Sequence, residues 1–217
     1  MVPNGCDLDI FDSKVCAWRP NMISDSDFLV LYAGTHGISN GLDSVLNAAA
    51  ELKSRGKFGI KFLLLGQGKL KQSLIDRANH ENLDNVMFHD PVDKKQLSGL
   101  MASTNIGLQV LTNVPAFYYG TSPNKFFDYI SAGLPVLNNY PGWLADIIDR
   151  NGCGFTVPPD DPISFADALE SAASDSDDLK IRSAKAKALA IREFDRKNLI
   201  AQWVDQLENT YLEKIGN

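Results

Sequence analysis

The sequence contains few cysteines and no large excess of charge of either sign. Its three cysteines, Cys6, Cys16 and Cys153, form an odd and scattered set without the spacing of metal ligands. We interpret them as the reduced thiols of a cytoplasmic protein. The net charge is −6, from 21 basic and 27 acidic residues. This balance mainly serves solubility, and it argues against a nucleic acid as partner.

The sequence also lacks a long apolar run and a signal peptide. Its apolar segments are far shorter than the roughly 20 residues that a membrane-spanning helix needs. We therefore expect a cytoplasmic chain that does not cross a membrane. Peripheral contact with the surface of the inner membrane stays compatible with this pattern.

Motifs of several common chemistries are absent. No Gly-Lys-Ser/Thr follows an apolar run, so there is no Walker phosphate loop. The turn after residues 28–33 lacks Gly-x-Gly-x-x-Gly, and Gly66-Gln67 stands where a dinucleotide-binding domain has an acid for the ribose. No nucleophile elbow occurs, and the three Asp-x-Asp pairs do not follow a buried strand. The sequence therefore predicts no metal site.

What the sequence does contain, from Phe28 onward, is an alternation of apolar runs and amphipathic helices. The predicted strands are residues 28–33, 60–65, 86–89, 106–110, 134–137 and 154–157. Continuous apolar runs of this length are typical of parallel strands that are covered on both faces. We predict an α/β fold, a Rossmann-like doubly wound parallel sheet of about six strands with helices on both faces.

We divide the chain into three parts. Residues 1–27 have no clear period and are interpreted as an interdomain lead-in segment, 28–194 as the Rossmann-like domain, and 195–217 as a C-terminal helix. The abrupt start at Val-Pro-Asn-Gly suggests that an upstream part is missing. The C-terminal helix has an apolar stripe that is expected to pack partly on that upstream domain. The stripe consists of Leu199, Trp203, Leu207 and Tyr211.

Four loops are expected to meet at one edge of the sheet, because a doubly wound sheet binds ligands at the carboxyl ends of its strands. These loops are 34–41, 66–68, 89–92 and 120–125. The candidate contacts in the first three loops are glycines, which allow close backbone approach, and further residues of the same loops. They are Gly34, Thr35, His36, Gly37, Gly66, Gly68, His89 and Val92. The alternatives are an exposed loop histidine for His36 and a packing or capping residue for His89.

One helix start combines several features that favour a phosphate. Ser122 is predicted as the N-cap and Pro123 as the first helical residue, and Gly133 is predicted to end the helix. The N–H groups and the dipole of a helix start suit an anion, and Lys125 adds a full charge in the first turn. Asp128 lies further along, where it could accept hydrogen bonds from ligand hydroxyls. The alternative is an ordinary capped surface helix with a solvated lysine.

Six segments carry a family resemblance in their order along the chain. They are residues 2–11, 32–42, 65–68, 86–92, 122–136 and 152–161. In the same order, they resemble six features of one family. These are an interdomain Pro-Asn-Gly-Val-Asp segment, a phosphate-facing loop, a Gly-x-Gly turn, a base-contacting strand, a Glu-Ala-Met-Ala-x-Gly-x-Pro-Val block and a glycine-containing tail. The chain thus resembles the C-terminal, donor-binding half of a GT-B glycosyltransferase of family 4, the group 1 glycosyltransferases. Within the family it is similar to bacterial surface-polysaccharide transferases of the N-acetylfucosaminyl type.

The resemblance assigns roles to particular residues. Asp128 would lie on the ribose hydroxyls as the second acid of the family's Glu-x7-Glu pair. The first acid would fall at Gly120, and the basic loop residues that meet the diphosphate would fall at Thr35 and Asn40. We hypothesise that Lys125 is catalytic and replaces them, because a fixed cation stabilises the charge that develops on the leaving UDP. The adjoining donor contacts would be Thr121, Ser122, Pro123 and Asn124.

The resemblance implies a metal-independent, retaining transfer from a UDP-sugar to a lipid-linked or saccharide acceptor, without a cofactor. The acceptor site and a catalytic base would lie on the missing N-terminal half. This chain alone should then bind UDP or a UDP-sugar weakly and transfer nothing. Two alternatives stay open. A GT-B-type nucleotide-sugar epimerase would need further acids in the site, and a non-catalytic nucleotide-binding module would be consistent with Gly120.

Overall fold

The computed structural model describes residues 4–11 and 15–215. Its centre is a six-stranded sheet with the strands β1 (Phe28–Ala33), β2 (Ile60–Leu65), β3 (Val86–His89), β4 (Ile106–Gln109), β5 (Val136–Asn138) and β6 (Gly154–Thr156). Every strand pairing is parallel. The strand order is β3-β2-β1-β4-β5-β6. Because this order runs outward in both directions from the β1–β4 pair, the prediction of a Rossmann-like doubly wound sheet is confirmed.

Helices cover both faces of the sheet. They are α1 (Asp43–Ser54), α2 (Lys71–His80), α3 (Lys94–Met101), α4 (Pro115–Tyr118), α5 (Asn124–Ser131), α6 (Trp143–Asn151), α7 (Pro162–Ser174), α8 (Ser176–Glu193) and α9 (Arg196–Ile215). Helices α1 and α7 contact each other on one face, and α5 and α8 on the other. In β1, Val30 and Tyr32 face the first layer while Leu29 and Leu31 face the second. All four side chains are fully buried, as expected for a central parallel strand.

The structure differs from the sequence-based expectations around β5 and α4. The predicted strand 134–137 begins two residues early, because Leu134 belongs to the turn after α5 and donates its N–H to the Tyr129 carbonyl. Gly133 has φ +71°, which confirms that a left-handed glycine follows the helix. The aromatic loop contains the short helix α4. Its Tyr118 is 6% exposed and the next residue, Tyr119, is 71% exposed.

The described residues before β1 pack against the helices. Cys6 and Phe11 are buried, and a β-bridge joins Cys6 to Asp195 just before α9. Further along, the Trp18 indole donates to the Gln96 carbonyl of α3 at 2.7 Å. The first part of the chain is therefore fixed on the same face of the sheet as α3 and α5. Its division from the remainder as a separate lead-in segment stays a prediction.

Helix α9 carries apolar side chains that face solvent. The exposed members are Ile200, Trp203, Val204, Leu207 and Tyr211. Three of these belong to the stripe found in the sequence, and its docking on another domain stays a prediction. No helix among residues 4–11 and 15–215 is long and apolar enough to cross a membrane. Cys6, Cys16 and Cys153 are free, and the first and last of them are buried.

The contact between β4 and α5 gives a test of the packing. A Cβ on Gly107 would lie 2.6 Å from the ring of Tyr129. That ring cannot easily move, because the Ala33 N–H donates to its hydroxyl oxygen at 2.9 Å. Gly107→Ala is expected to lower the free energy of unfolding by about 1–3 kcal/mol, measured by urea denaturation. In the matched control Gly59→Ala the added methyl meets no atom within 4 Å. Equal losses in the two variants would contradict this packing.

Candidate functional site

The carboxyl ends of β1 and β4 form the point at which the strand order reverses. The loop after β1 includes a 3-10 turn, Ile38–Asn40, and ends at Gly41. The Thr112 N–H, in the loop after β4, donates to the Ser39 carbonyl at 3.1 Å. Gly41 has φ +58°, and a Cβ there would lie 2.5 Å from the Thr112 nitrogen. The two loops are thus fixed against each other at the place where ligands of doubly wound sheets bind.

The loop after β2 lies directly on the loop after β1. The His36 N–H donates to the Gln67 carbonyl at 2.9 Å. Both neighbouring glycines are required: a Cβ on Gly66 would lie 1.8 Å from the Gly34 carbonyl oxygen, and one on Gly68 would lie 2.5 Å from the His36 carbonyl oxygen. The structure therefore brings together the glycines that the sequence predicted for this rim, and it does so through backbone contacts.

Helix α5 begins at the same rim, but not as predicted. Its first residue is Asn124, and its N-cap is Pro123, whose backbone is extended and whose side chain cannot cap. The prediction of Ser122 as N-cap and Pro123 as first helical residue is therefore wrong. A residue before proline prefers extended backbone, and the Ser122 hydroxyl accepts the Asn4 N–H at 3.2 Å. Because no side chain caps α5, its first N–H groups lack a side-chain acceptor.

Lys125 reaches from the first turn of α5 across to the loop after β1. Its Nζ lies 3.3 Å from Asn40 Oδ1 and 3.4 Å from the Tyr32 hydroxyl, and 4.7 Å from the centre of the Tyr32 ring. A Cβ on Gly34 would lie 3.0 Å from the Lys125 side chain. The resemblance expects a basic residue at Asn40. In the structure, Lys125 of α5 places its cation beside this position.

The charge of Lys125 is buried without a compensating carboxylate. In the described part of the chain no acidic side chain forms an ion pair with it. Burial lowers the pKa of Lys125 to about 8. The alternative of a solvated surface lysine is therefore wrong. A desolvated cation that is partnered only by neutral groups costs stability, so the position indicates an anionic ligand.

Asp128 lies one turn further along α5, with its side chain 15% exposed. Its Oδ1 accepts a hydrogen bond from Lys94 Nζ at 3.0 Å. Burial raises the pKa of Asp128, and Lys94 opposes this rise. Lys94 is the first residue of α3, where Asp93 and Gln96 form a capping box. Sequence reasoning missed Lys94, although this helix start directly after the loop 89–92 was a usable signal.

A cleft of about 370 Å³ opens between the first two loops and α3. Its lining consists of Ala33, Gly34, Thr35, Leu65, Gly66, Gln67, Pro91 and Leu97. On one side of it, Asp90 accepts hydrogen bonds from Lys71 at 2.6 Å and from Gln67 at 2.7 Å. Lys71 thereby lowers the pKa of Asp90. A cleft of this volume, lined by mixed apolar and polar groups, suits a small organic ligand.

Neither of the two rim histidines lines this cleft. His36 is fully buried, with its ring 6.0 Å from that of Tyr32 and 6.2 Å from that of Phe88. The alternative of an exposed loop histidine is wrong, because the loops 34–41 and 66–68 close over His36, while its role as a side-chain donor to a ligand stays a prediction. His89 is half-buried against Trp18, and its Nδ1 lies 2.7 Å from the Asp90 carbonyl.

The remaining predicted contacts lie around these elements. Val92 is half-buried against the core, and Thr35 is exposed at the cleft. The Thr121 hydroxyl donates to the Phe117 carbonyl at 3.0 Å. Asn124 Oδ1 accepts from Asn4 Nδ2 at 2.9 Å. Within residues 4–11 and 15–215, no three His, Cys, Asp or Glu side chains form a group that could hold a metal ion.

A larger cavity, of about 560 Å³, lies at the opposite edge of the sheet. Its lining includes Ala102 and Ala132, which directly follow the last residues of α3 and α5 as their C-caps. The carboxyl ends of helices carry partial negative charge and disfavour a phosphate. Lys187 also lines this cavity, but it donates to the carbonyls of Phe11 and Ser131. The start of α5 at Lys125 is therefore the better anion site.

Residues 27–175 match the model of the family described as glycosyl transferases group 1. The match covers more than half of the chain, so the chain belongs to this family. No curated protein sequence matches it.

Solved structures share the fold. WaaG, a glycosyltransferase involved in lipopolysaccharide biosynthesis, has 22% identity and a TM-score of 0.69 over 88% of this chain and 52% of its own. Alr3699/HepE from Anabaena, in complex with UDP-glucose, has 17% identity and a TM-score of 0.76 over 94% and 56%. The C-terminal domain of the group 1 protein LpcC from Francisella tularensis has 16% identity and a TM-score of 0.68 over 88% and 100%. The chain thus spans about half the length of the first two proteins.

The burial of His36 predicts a pH-dependent loss of stability. Burial, with a smaller contribution from Lys71, lowers the pKa of His36 to about 4 from an ordinary value of 6.5. Below pH 6.5 the unfolded chain therefore binds a proton that the folded chain does not, so stability falls between pH 6.5 and about 4. Relative to His36→Leu, the parent should lose about 2 kcal/mol of unfolding free energy between pH 7.5 and pH 5.

Urea denaturation at the two pH values measures this difference. His80→Leu is the control, because it removes an exposed histidine from α2. Parallel pH profiles for the parent and His36→Leu would show that His36 does not carry the effect.

Proposed function

We propose that this chain is the donor-binding half of a retaining, metal-independent glycosyltransferase that uses a UDP-sugar. The observation that carries the proposal is the buried charge of Lys125 beside the uncapped start of α5. A diphosphate would supply the negative charge that this position lacks. The complex of the similar protein Alr3699/HepE with UDP-glucose supports a uridine nucleotide as the ligand class.

The diphosphate would lie between α5 and the loop after β1. Lys125 Nζ and the first N–H groups of α5 approach it from one side, and Gly34, Thr35 and Gly37 from the other. During transfer the bond between the anomeric carbon and the diphosphate oxygen breaks, and its electron pair stays on the departing UDP. An acceptor hydroxyl oxygen bonds to the anomeric carbon in its place and gives its proton to a base that would lie on the acceptor-binding domain. Lys125 acts as a catalytic residue because its fixed charge stabilises the UDP as that charge grows.

The nucleoside would occupy the cleft of about 370 Å³ between the two glycine-rich loops and α3. Asp128 would accept hydrogen bonds from the ribose hydroxyls. The backbone of the loop 89–92 would contact the base, since the side chains of His89 and Val92 are packed. The donor sugar would extend past residues 121–124, which lead into α5.

Transfer also needs an acceptor site, which we assign to a further domain, because the chain covers only about half of WaaG and Alr3699/HepE. The acceptor would be a lipid-linked or free saccharide in bacterial surface polysaccharide synthesis, at the cytoplasmic side of the membrane. The role of WaaG in lipopolysaccharide biosynthesis supports this pathway class. An N-acetylfucosaminyl specificity remains a prediction. This chain alone would bind the nucleotide without transferring sugar.

A second candidate function is a nucleotide-binding module without catalysis. It is favoured by Gly120, which is exposed and supplies no acid at the donor sugar. Joined to its acceptor-binding domain, a transferase should release UDP from a UDP-sugar faster when an acceptor is added. A module should bind the UDP-sugar and release nothing.

The Lys125 site predicts a specific loss of UDP binding. Lys125→Met should weaken UDP binding by roughly 1.5–3 kcal/mol, because a charge-assisted contact is removed. The pKa of about 8 adds a pH dependence. Above that pH the free lysine is neutral and must take up a proton to bind the anion, so affinity should fall about tenfold between pH 7 and pH 9.

Isothermal titration of UDP at both pH values measures these effects. Lys125→Arg is the matched variant, because it keeps the charge at every pH used and should lose the pH dependence. UDP affinity that is the same in the parent and in Lys125→Met would rule out this site.

The same charge predicts a stability cost in the free protein. At pH 7 the Lys125 ammonium is held in a site that disfavours its charged form. Lys125→Met is therefore expected to raise the free energy of unfolding by about 1–3 kcal/mol at pH 7, with a smaller gain at pH 10, where the lysine in the folded chain is already neutral. Urea denaturation without nucleotide measures both values. A destabilised variant would indicate that Lys125 serves the fold instead of a ligand.

A further inference from the structure

Four charged side chains form a continuous row that ends at the proposed ribose carboxylate. Arg196 Nε lies 2.6 Å from Asp7 Oδ1, Lys94 Nζ lies 3.5 Å from Asp7 Oδ2, and the same Nζ lies 3.0 Å from Asp128 Oδ1. The row joins the start of α9, the segment before β1, the start of α3 and the middle of α5. It connects parts of the chain that are far apart in sequence.

The two carboxylates of the row are less exposed than its two cations, of which Arg196 is 45% exposed. The exposed fraction of the side chain is 51% for Lys94, 27% for Asp7 and 15% for Asp128. Asp7 is held at its other end, because Arg196 also donates to the Gly5 carbonyl at 2.8 Å. The backbone there is fixed by the Cys6 N–H, which donates to the Phe194 carbonyl at 2.6 Å. Lys94 is therefore held by an anchored carboxylate on the side away from Asp128.

Lys94 contacts only one of the two carboxylate oxygens of Asp128. Within the described residues no protein group donates to Oδ2. Burial favours the protonated form of Asp128, and Lys94 is the first of the groups that oppose this. Lys94 thus does two things at once: it favours the ionised form of Asp128, and it fixes the direction in which the second oxygen points.

We propose that Lys94 and Asp7 are positioning residues for ribose recognition, Lys94 by orienting the Asp128 carboxylate and Asp7 by holding Lys94. This inference rests on the proposed function, because it needs a nucleotide whose ribose hydroxyls meet Asp128. It assigns the two residues a role in selecting a ribonucleotide. It also links ribose binding to the start of α9 and to the segment before β1.

Two nucleotides separate positioning from general support of the fold. UDP carries both ribose hydroxyls, and 2′,3′-dideoxy-UDP lacks them while keeping the base and the diphosphate. The parent should bind UDP at least tenfold more tightly than the dideoxy nucleotide, because a carboxylate left without its donors loses a charge-assisted hydrogen bond. Asp128→Asn should reduce this ratio toward one.

Lys94→Gln and Asp7→Asn should each weaken UDP binding by about three- to tenfold and leave the dideoxy nucleotide nearly unchanged. Lys94→Arg should restore much of the ratio, since it keeps the charge next to Asp128. Lys197→Gln is the control. It breaks the ion pair of Lys197 with Asp9 at 2.9 Å, which lies beside the row but outside it, and its ratio should equal that of the parent. Lys94 and Lys197 are exposed, and exposed ion pairs contribute little to folding, so the variants of these two lysines should remain folded. Urea denaturation checks the fold of Asp7→Asn, whose carboxylate is half-buried.

The outcomes distinguish this inference from the proposed function. Equal weakening of both nucleotides in Lys94→Gln and Asp7→Asn, or a ratio unchanged from the parent, overturns the positioning role while UDP binding through Lys125 stands. A parent protein that binds neither nucleotide overturns the proposed function, and this inference with it.

Discussion

The unpaired charge of Lys125 is the constraint on which the site depends. An ammonium group that lies among a tyrosine ring, a phenol oxygen and an amide oxygen has lost much of its hydration. Those neutral groups return only part of that loss. A folded chain tolerates such a position when the surrounding structure fixes it and a ligand later supplies the opposite charge. The position of Lys125 therefore lowers the stability of the free chain and raises its affinity for an anion.

The core of the domain is what keeps Lys125 at this position. Phe126 and Phe127, the residues that follow it, are buried, and Tyr129 lies against the backbone of β4 at Gly107. These contacts fix the start of α5 against the carboxyl ends of β1 and β4. The backbone from which Lys125 extends is therefore fixed at this rim. Helix α5 thus carries both the apolar side chains that pack in the core and the lysine at the rim of the sheet.

The sequence predicted the sheet well, because each central parallel strand is a continuous apolar run and each crossover is an amphipathic helix. It also located the four rim loops and placed Lys125 and Asp128 on one helix. These features are local, since each depends on residues that are close together in the chain. The end of the helix at Gly133 is local in the same sense.

The features that the sequence did not reveal come from contacts between distant segments. Ser122 does not cap α5, because its hydroxyl accepts from Asn4, 118 residues away. His36 is buried because the loop after β2 lies over it. The Lys94–Asp128 pair joins the start of α3 to the middle of α5, and the two residues are 34 positions apart in the chain. No periodicity encodes such contacts, so only the folded chain shows them.

Gly120 is not a glycine that the fold requires. Its backbone does not have the positive φ that excludes a side chain, and the nearest atom to an added Cβ is the Ala116 carbonyl oxygen at 4.0 Å. A Cβ would therefore fit there without strain, so the backbone does not require a glycine. The neighbouring backbone is in fact held firmly, since the Trp143 indole donates to the Thr121 carbonyl at 2.8 Å. Under the proposed function, the absence of an acid at this position bears on the contacts to the donor sugar. In this function, the contacts of Lys125, Asp128 and the glycine-rich loops fix the nucleotide end of the site. The residues at the sugar end are the ones that are free to vary.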